Sequence, residues 1–218
     1  LQPNWRMTMW RPILIFCVLL PQIVWAQESN VLLLAKARKD AIVLRWAPTD
    51  VRHWQLANKV GYRLERYTVT RGGEILRPPQ KMLLSGSVKP QPLAAWERLA
   101  DGNDYAAIAA EALYGSEFEV GPLQPTPFEV VNRSRELEQR FSFALLAADH
   151  SFETAQLSGL AWVDAGVKSN EKYLYRVVVA DADSSKNIPA TFFISLADTV
   201  QMLPPRDLRA QFGDKSVM

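Results

Sequence analysis

The stretch that most restricts how this chain can fold is Lys172-Tyr-Leu-Tyr-Arg-Val-Val-Val-Ala180. Tyr173, Tyr175, Val177 and Val179 fall at every second position, so a strand puts all four on one face. The same alternation recurs upstream. Val31-Leu-Leu-Leu-Ala-Lys-Ala37 reads as a strand, Lys39-Asp40 as a turn, and Ala41–Trp46 as a second strand with Ile42, Leu44 and Trp46 sharing a face. Pro48, which has no N–H for a ladder, marks its end. A third strand, Gly61–Val69, places Tyr62 and Leu64 on one side and Arg63 and Glu65 on the other. Arg71-Gly72-Gly73 is a hairpin-type turn into Glu74-Ile-Leu76. Near the other end, Ala161-Trp-Val163 and Ala190–Leu196 are strand-like, and Asp181–Asn187 reads as a polar hairpin loop.

Between these strands the periodicity changes. Pro78, Pro79, Pro90 and Pro92 predict a loop, after which Ala94, Ala95, Trp96 and Leu99 suggest a short helix. Asp104 is read as the N-cap of a helix over Tyr105–Tyr114 that stops at Gly115. Asn132 is read as the cap of a longer helix running to about Gly159, with a break near His150. In it Leu137, Phe141, Leu145, Ala148 and Phe152 recur at close to one-turn spacing.

The N-terminus has the pattern of an export signal. Translation from Met7 or Met9 leaves Arg11 as the positive residue before the apolar run Ile13–Leu20, Pro21 breaks the helix, and Val24-Trp25-Ala26 offers small residues for cleavage before Gln27. Pro21 and Gln22 interrupt the run short of the ~20 residues that span a bilayer, so no stable membrane span is expected after cleavage. The formal charge is +2, and Arg6 and Arg11 supply that excess from a segment without acids. The remainder is balanced, which gives no electrostatic reason to expect nucleic acid. The only cysteine, Cys17, also lies in the signal, so disulfides, thiolate zinc sites and cysteine nucleophiles are not expected downstream.

Three features make the strands resemble a fibronectin type III domain. Trp46 ends a strand of alternating aliphatics and is followed by Ala47-Pro48. Tyr62-Arg-Leu-Glu-Arg66 looks like the family's third strand. Val167-Lys-Ser-Asn-Glu-Lys-Tyr173-Leu-Tyr-Arg-Val177 is similar to its corner, where an aliphatic residue precedes a tyrosine by six positions. A tyrosine there buries its ring while its hydroxyl bonds to upstream backbone and pins the crossover. The resemblance implies a mostly β, immunoglobulin-like sandwich over residues 27–200, with Trp46, Tyr62, Leu64, Trp162, Val167, Tyr173 and Val177 as its structural residues. Such a sandwich takes ~100 residues. The surplus here implies a helical insertion at about residues 80–160.

Leu203-Pro-Pro-Arg-Asp-Leu-Arg-Ala-Gln-Phe212 looks like the start of a second unit over residues 203–218. Displaced by 175 positions, Leu208, Ala210 and Val217 fall on Leu33, Ala35 and Ile42. Similar helix-bearing sandwiches stand near the start of large secreted bacterial proteins. The expected role is therefore a non-catalytic binding or scaffold module of an exported, surface-located protein of several domains. The alternative is an accessory region of a secreted hydrolase whose catalytic domain lies beyond Met218.

No catalytic, metal or cofactor site is expected. His53 and His150 are far apart and lack an adjacent carboxylate or serine in a nucleophile pattern. The oxygen-bearing run from Asp181 lacks the glycine and glutamate of a calcium loop, with Lys186 and Phe192 in their places. Glu136 and Glu138 among Arg133, Arg135 and Arg140 read as an ion-paired outer helix face. The candidate binding residues are His53 and Trp54, placed in a polar loop where the indole could stack on a carbohydrate or anchor a protein partner. Packing of Trp54 onto the core or the insertion is the competing reading. Trp96, Tyr105, Tyr114 and Phe141 offer a further surface on the insertion, against the alternative that they pack on the sandwich.

Overall fold

A computed structural model of the chain describes residues 29–115, 127–181, 188–199, 212–213 and 216–217, with side chains described from residue 134 onward in the helix that starts at Pro127. The export signal and the loop after Asp181 lie outside these residues. Strands β1 (Val31–Ala37) and β2 (Ile42–Pro48) lead into helix α1 (Val51–Val60), β3 (Tyr62–Arg71) and β4 (Glu74–Val88). A 3-10 turn at Leu93–Ala95 precedes α2 (Glu97–Ala100), α3 (Asp104–Tyr114), α4 (Pro127–His150) and α5 (Phe152–Leu157). The order continues with β5 (Ala161–Asp164), β6 (Glu171–Val179) and β7 (Ala190–Ser195), and then the short pair β8 (Phe212–Gly213) and β9 (Ser216–Val217).

Two antiparallel sheets result, with strand orders β1-β2-β5 and β4-β3-β6-β7, and neither closes into a barrel. The expectation of a mostly β chain needs correction, because about 39% of the described residues are strand and 35% are helix. The alternating residues explain the arrangement. Val31, Leu33, Ile42, Leu44 and Trp46 from one sheet and Tyr62, Leu64, Tyr173, Tyr175, Val177, Val179 and Ile194 from the other form one buried cluster. Trp46 meets Tyr62 edge-on, with ring centroids 5.8 Å apart. Trp162 and Val167 pack on the cluster while remaining half-buried, consistent with β5 being an edge strand.

The boundary of the helical region also differs from expectation. β4 runs through Pro78 and Pro79 to Val88, so helix begins only after Leu93. As the outer strand of its sheet, β4 has one side without a ladder, where a missing N–H is tolerated. Its register against β3 shifts between Tyr62 and Leu64, between Leu64 and Glu65, and between Thr68 and Thr70. The helices do not form a detached layer. Ala148, Ala155 and Leu160 belong to the same buried cluster as the strands, with Leu145 and Phe152 packed beside them. Arg45 on β2 reaches Asp149 on α4 at 2.9 Å. Gly159, at φ +69°, lets the chain leave α5 so close to β4's exit that a Cβ there would sit 2.6 Å from the Lys89 carbonyl carbon.

Helix caps differ from the expected ones in two places. Asn103, not Asp104, caps α3, its side chain accepting from the Tyr105 and Ala106 N–H groups. Asn132 lies inside α4, which opens at Pro127, a residue suited to the first helical turn because it lacks an N–H. The break at Ser151 does fall beside His150, and its hydroxyl caps α5 through the Thr154 N–H.

Candidate functional site

His53 and Trp54 lie on a helix, not in a polar loop. Asp50 has extended backbone and its carboxylate accepts from the Arg52 and His53 N–H groups, which starts α1. Gly61, at φ +88°, ends it by donating to the Ala57 carbonyl at 2.7 Å. This turn of helix rotates Trp54 inward, leaving it 4% exposed. Its ring meets Phe141 at 6.0 Å, beside Ala112 and Ala144, and so ties α1 to α3 and α4. The packing role for Trp54 therefore replaces the ligand-stacking one. His53 has a carboxylate partner after all: its Nδ1 lies 2.6 Å from Asp50 Oδ2. Burial pushes the Asp50 carboxyl up, but the hydrogen bonds from His53 and Arg52 outweigh it and hold the group below its usual range.

The densest polar arrangement is at the β5–β6 end of the core, where it joins the two sheets. Tyr173 is fully buried. Its hydroxyl accepts from the Lys168 N–H at 2.7 Å and donates to Glu171 Oε2 at 2.8 Å. Arg71 donates to the other Glu171 oxygen at 2.6 Å. Beside it, Arg66 of β3 grips both oxygens of Asp164 on β5, at 3.0 and 2.8 Å, and the Gly166 carbonyl at 2.9 Å. Tyr175 donates to the same carboxylate at 2.8 Å. The Arg66 guanidinium also lies 5.0 Å over the Tyr173 ring. Burial, then the neighbouring carboxylate, raises the Tyr173 hydroxyl to about 12, so it remains a neutral donor at physiological pH. Burial likewise raises Tyr175, with the Asp164 charge adding to it. These groups bind one another across the two sheets, which makes the network a clasp.

A third buried carboxylate, Glu65, lies on the outward face of the four-stranded sheet. Sequence alternation identified that face, but its 4% side-chain exposure comes from the cations above it. Lys81 binds Oε1 at 2.8 Å, Arg63 lies 3.5 Å from the same oxygen, and Arg176 approaches Oε2 at 3.7 Å. Burial raises the Glu65 carboxyl, yet bonds from Lys81 and Tyr67 more than compensate and lower it.

The aromatics of the helical region do not gather on one surface. Trp96 is buried and donates its indole N–H to the Gln91 carbonyl at 2.9 Å. Tyr105 stacks on His150 with centroids 4.7 Å apart, while Tyr114 donates to the same Gln91 carbonyl at 2.6 Å. Arg140 is not on an ion-paired outer face. It turns inward and donates to the carbonyls of Glu111, Ala112 and Gly115, closing the C-terminus of α3. Between α3 and α4 lies a groove of about 640 Å³, with Ile108, Ala112, Phe143, Glu111, Glu136 and Arg140 in its lining.

Among the described residues no group of three or more His, Cys, Asp or Glu is placed to hold a metal ion, and no helix is long and apolar enough to cross a membrane. No protein-family model, curated protein or solved structure matches the chain.

Proposed function

We propose that this chain is a non-catalytic binding and scaffold module of an exported protein built from fibronectin type III-like units, with a helical insertion between the fourth and fifth strands. The observation that carries the reading is the corner at Tyr173. A fully buried ring whose hydroxyl takes a backbone N–H from five residues upstream is the device by which such a sandwich fixes its crossover. The strand orders β1-β2-β5 and β4-β3-β6-β7, facing one shared core, agree with that architecture.

The C-terminal pair supports a repeat of the unit. Phe212 pairs with Val217 and Gly213 with Ser216. Displaced by 175 positions these are Ala37 with Ile42 and Arg38 with Ala41, which are themselves paired at the turn between β1 and β2. Two stretches that share both residue pattern and hairpin register are most simply two copies of one unit, and tandem copies on a short Pro-Pro connection make a semi-rigid spacer.

Export is tested by fusing residues 1–60 to a phosphatase that folds only outside the cytoplasm. Activity is expected with the native segment and its loss with Leu14→Arg plus Val18→Arg. A silent native fusion would remove the exported module from consideration.

A further inference from the structure

The charge of this chain is divided between its two kinds of structure. Residues 91–157, which hold all the helices except α1, carry eleven Asp and Glu against four Arg and no Lys. The other residues from Gln27 onward carry nineteen Lys and Arg against twelve Asp and Glu. The two halves are thus −7 and +7, and they cancel.

Each half presents an exposed face of mixed character. On the outward side of the four-stranded sheet, Arg63, Lys81 and Arg176 stand around Glu65, and Lys172 lies further along β6 near Asp198. On the outer strands β4 and β7 of that sheet, Leu83 and Phe193 are 55% and 51% exposed. In the helical half, the groove between α3 and α4 is lined by Glu111 and Glu136, by Arg140, whose guanidinium donates to the carbonyls at the end of α3, and by Phe143, 53% exposed. The two faces are opposite in sign and both carry exposed apolar side chains, the combination that steers and then holds a protein interface.

We infer that these faces bind each other between copies: the basic outer face of the four-stranded sheet in one copy seats on the acidic α3–α4 groove of the next. Both complementary surfaces belong to one chain, and the chain from Gln27 onward has no net charge, so copies approach without overall repulsion. Because each copy uses one face and leaves the other open, the contact is head-to-tail and grows beyond a dimer unless it closes into a ring. This goes beyond the proposed scaffold role and does not depend on the export signal.

Sedimentation velocity on the chain over a range of concentrations tests it. In about 20 mM salt the weight-average sedimentation coefficient is expected to climb above the monomer value with concentration. In about 0.5 M salt, where the screening length shrinks to a few ångström, association is expected to weaken at least about tenfold. Lys172→Ser with Phe193→Ser disables the sheet face, and Glu136→Ser with Phe143→Ser disables the groove. All four residues lie outside the buried clusters, so circular dichroism and melting should match the native chain. Each double variant alone is expected to be monomeric, and an equimolar mixture of the two to form a dimer and nothing larger. A native chain that stays monomeric in low salt overturns the proposal. So does association that survives in either double variant, or a mixture that fails to dimerise.

Discussion

Replacing Tyr173 by Phe isolates the contribution of one oxygen atom. The ring is fully buried between the sheets, so the phenyl group fills the same space and no cavity opens. Two hydrogen bonds vanish. The Lys168 N–H, which donates to the hydroxyl at 2.7 Å, loses its acceptor, and Glu171 loses a 2.8 Å donor. A neutral bond of this type contributes about 1 kcal/mol and one to a charged group about 1.5–3 kcal/mol. Glu171 keeps Arg71 at 2.6 Å, which limits the second loss. The expected destabilisation is therefore about 2–3 kcal/mol, read from urea unfolding at unchanged m-value. Glu171→Gln in the same background separates the two bonds by a double-mutant cycle, and a coupling energy above ~0.5 kcal/mol is expected for groups in direct contact. If Tyr173→Phe costs less than about 0.5 kcal/mol, the hydroxyl does not pin the crossover and the argument from the corner fails.

Other perturbations probe the neighbouring parts. Asp164→Asn leaves Arg66 buried without its charge partner and is expected to destabilise by about 3–5 kcal/mol, whereas Arg66→Met with Asp164→Leu and Tyr175→Phe, which also removes the hydroxyl that the carboxylate accepts from, should recover part of that in the same unfolding assay. Trp54→Ala is expected to lower stability by about 3–5 kcal/mol, because the indole fills the junction of α1, α3 and α4; a stable, fully folded variant would restore Trp54 as a candidate ligand contact. The carboxyls of Asp50, Glu65, Glu171 and Asp198 all have folded-state values below their ordinary ones. Their stabilisation is fully present above the unfolded-state values near pH 4 and is lost as pH falls through the lower folded values, so melting temperature should be flat from pH 7 to 5 and drop below about pH 4.

Much of the strand framework could be read from period-two alternation, because one buried face was enough to reveal Val31–Ala37, Ile42–Trp46, Tyr62–Leu64 and Tyr173–Val179. Three things escaped it. Helix α1 was hidden by its many polar residues, which read as a loop, though Asp50 and Gly61 are a cap pair at the right separation and place Trp54 on the inner side. The length of β4 was hidden by Pro78 and Pro79, which stop a central strand and are tolerated on an outer one; strand position is a tertiary fact that no local pattern states. The burial of Arg66, Glu65 and Arg140 was hidden because an isolated charged residue reads as solvated. Each is buried only because a partner from a distant segment meets it: Asp164, Lys81, or the end of α3.

The same logic explains why the helices are built into the core. Ala148, Phe152 and Ala155 pack in the strand core, so α4 and α5 are a structural part of the unit and not a graft upon it. Native-state hydrogen exchange tests that claim most directly. The account expects amides in α4 and α5, such as Ala148 and Ala155, to open with the same free energy and the same denaturant dependence as those of Leu64 and Val177 in the opposite sheet. Helical amides that exchange through a separate, cheaper opening while the strands stay protected would show two units where one is argued.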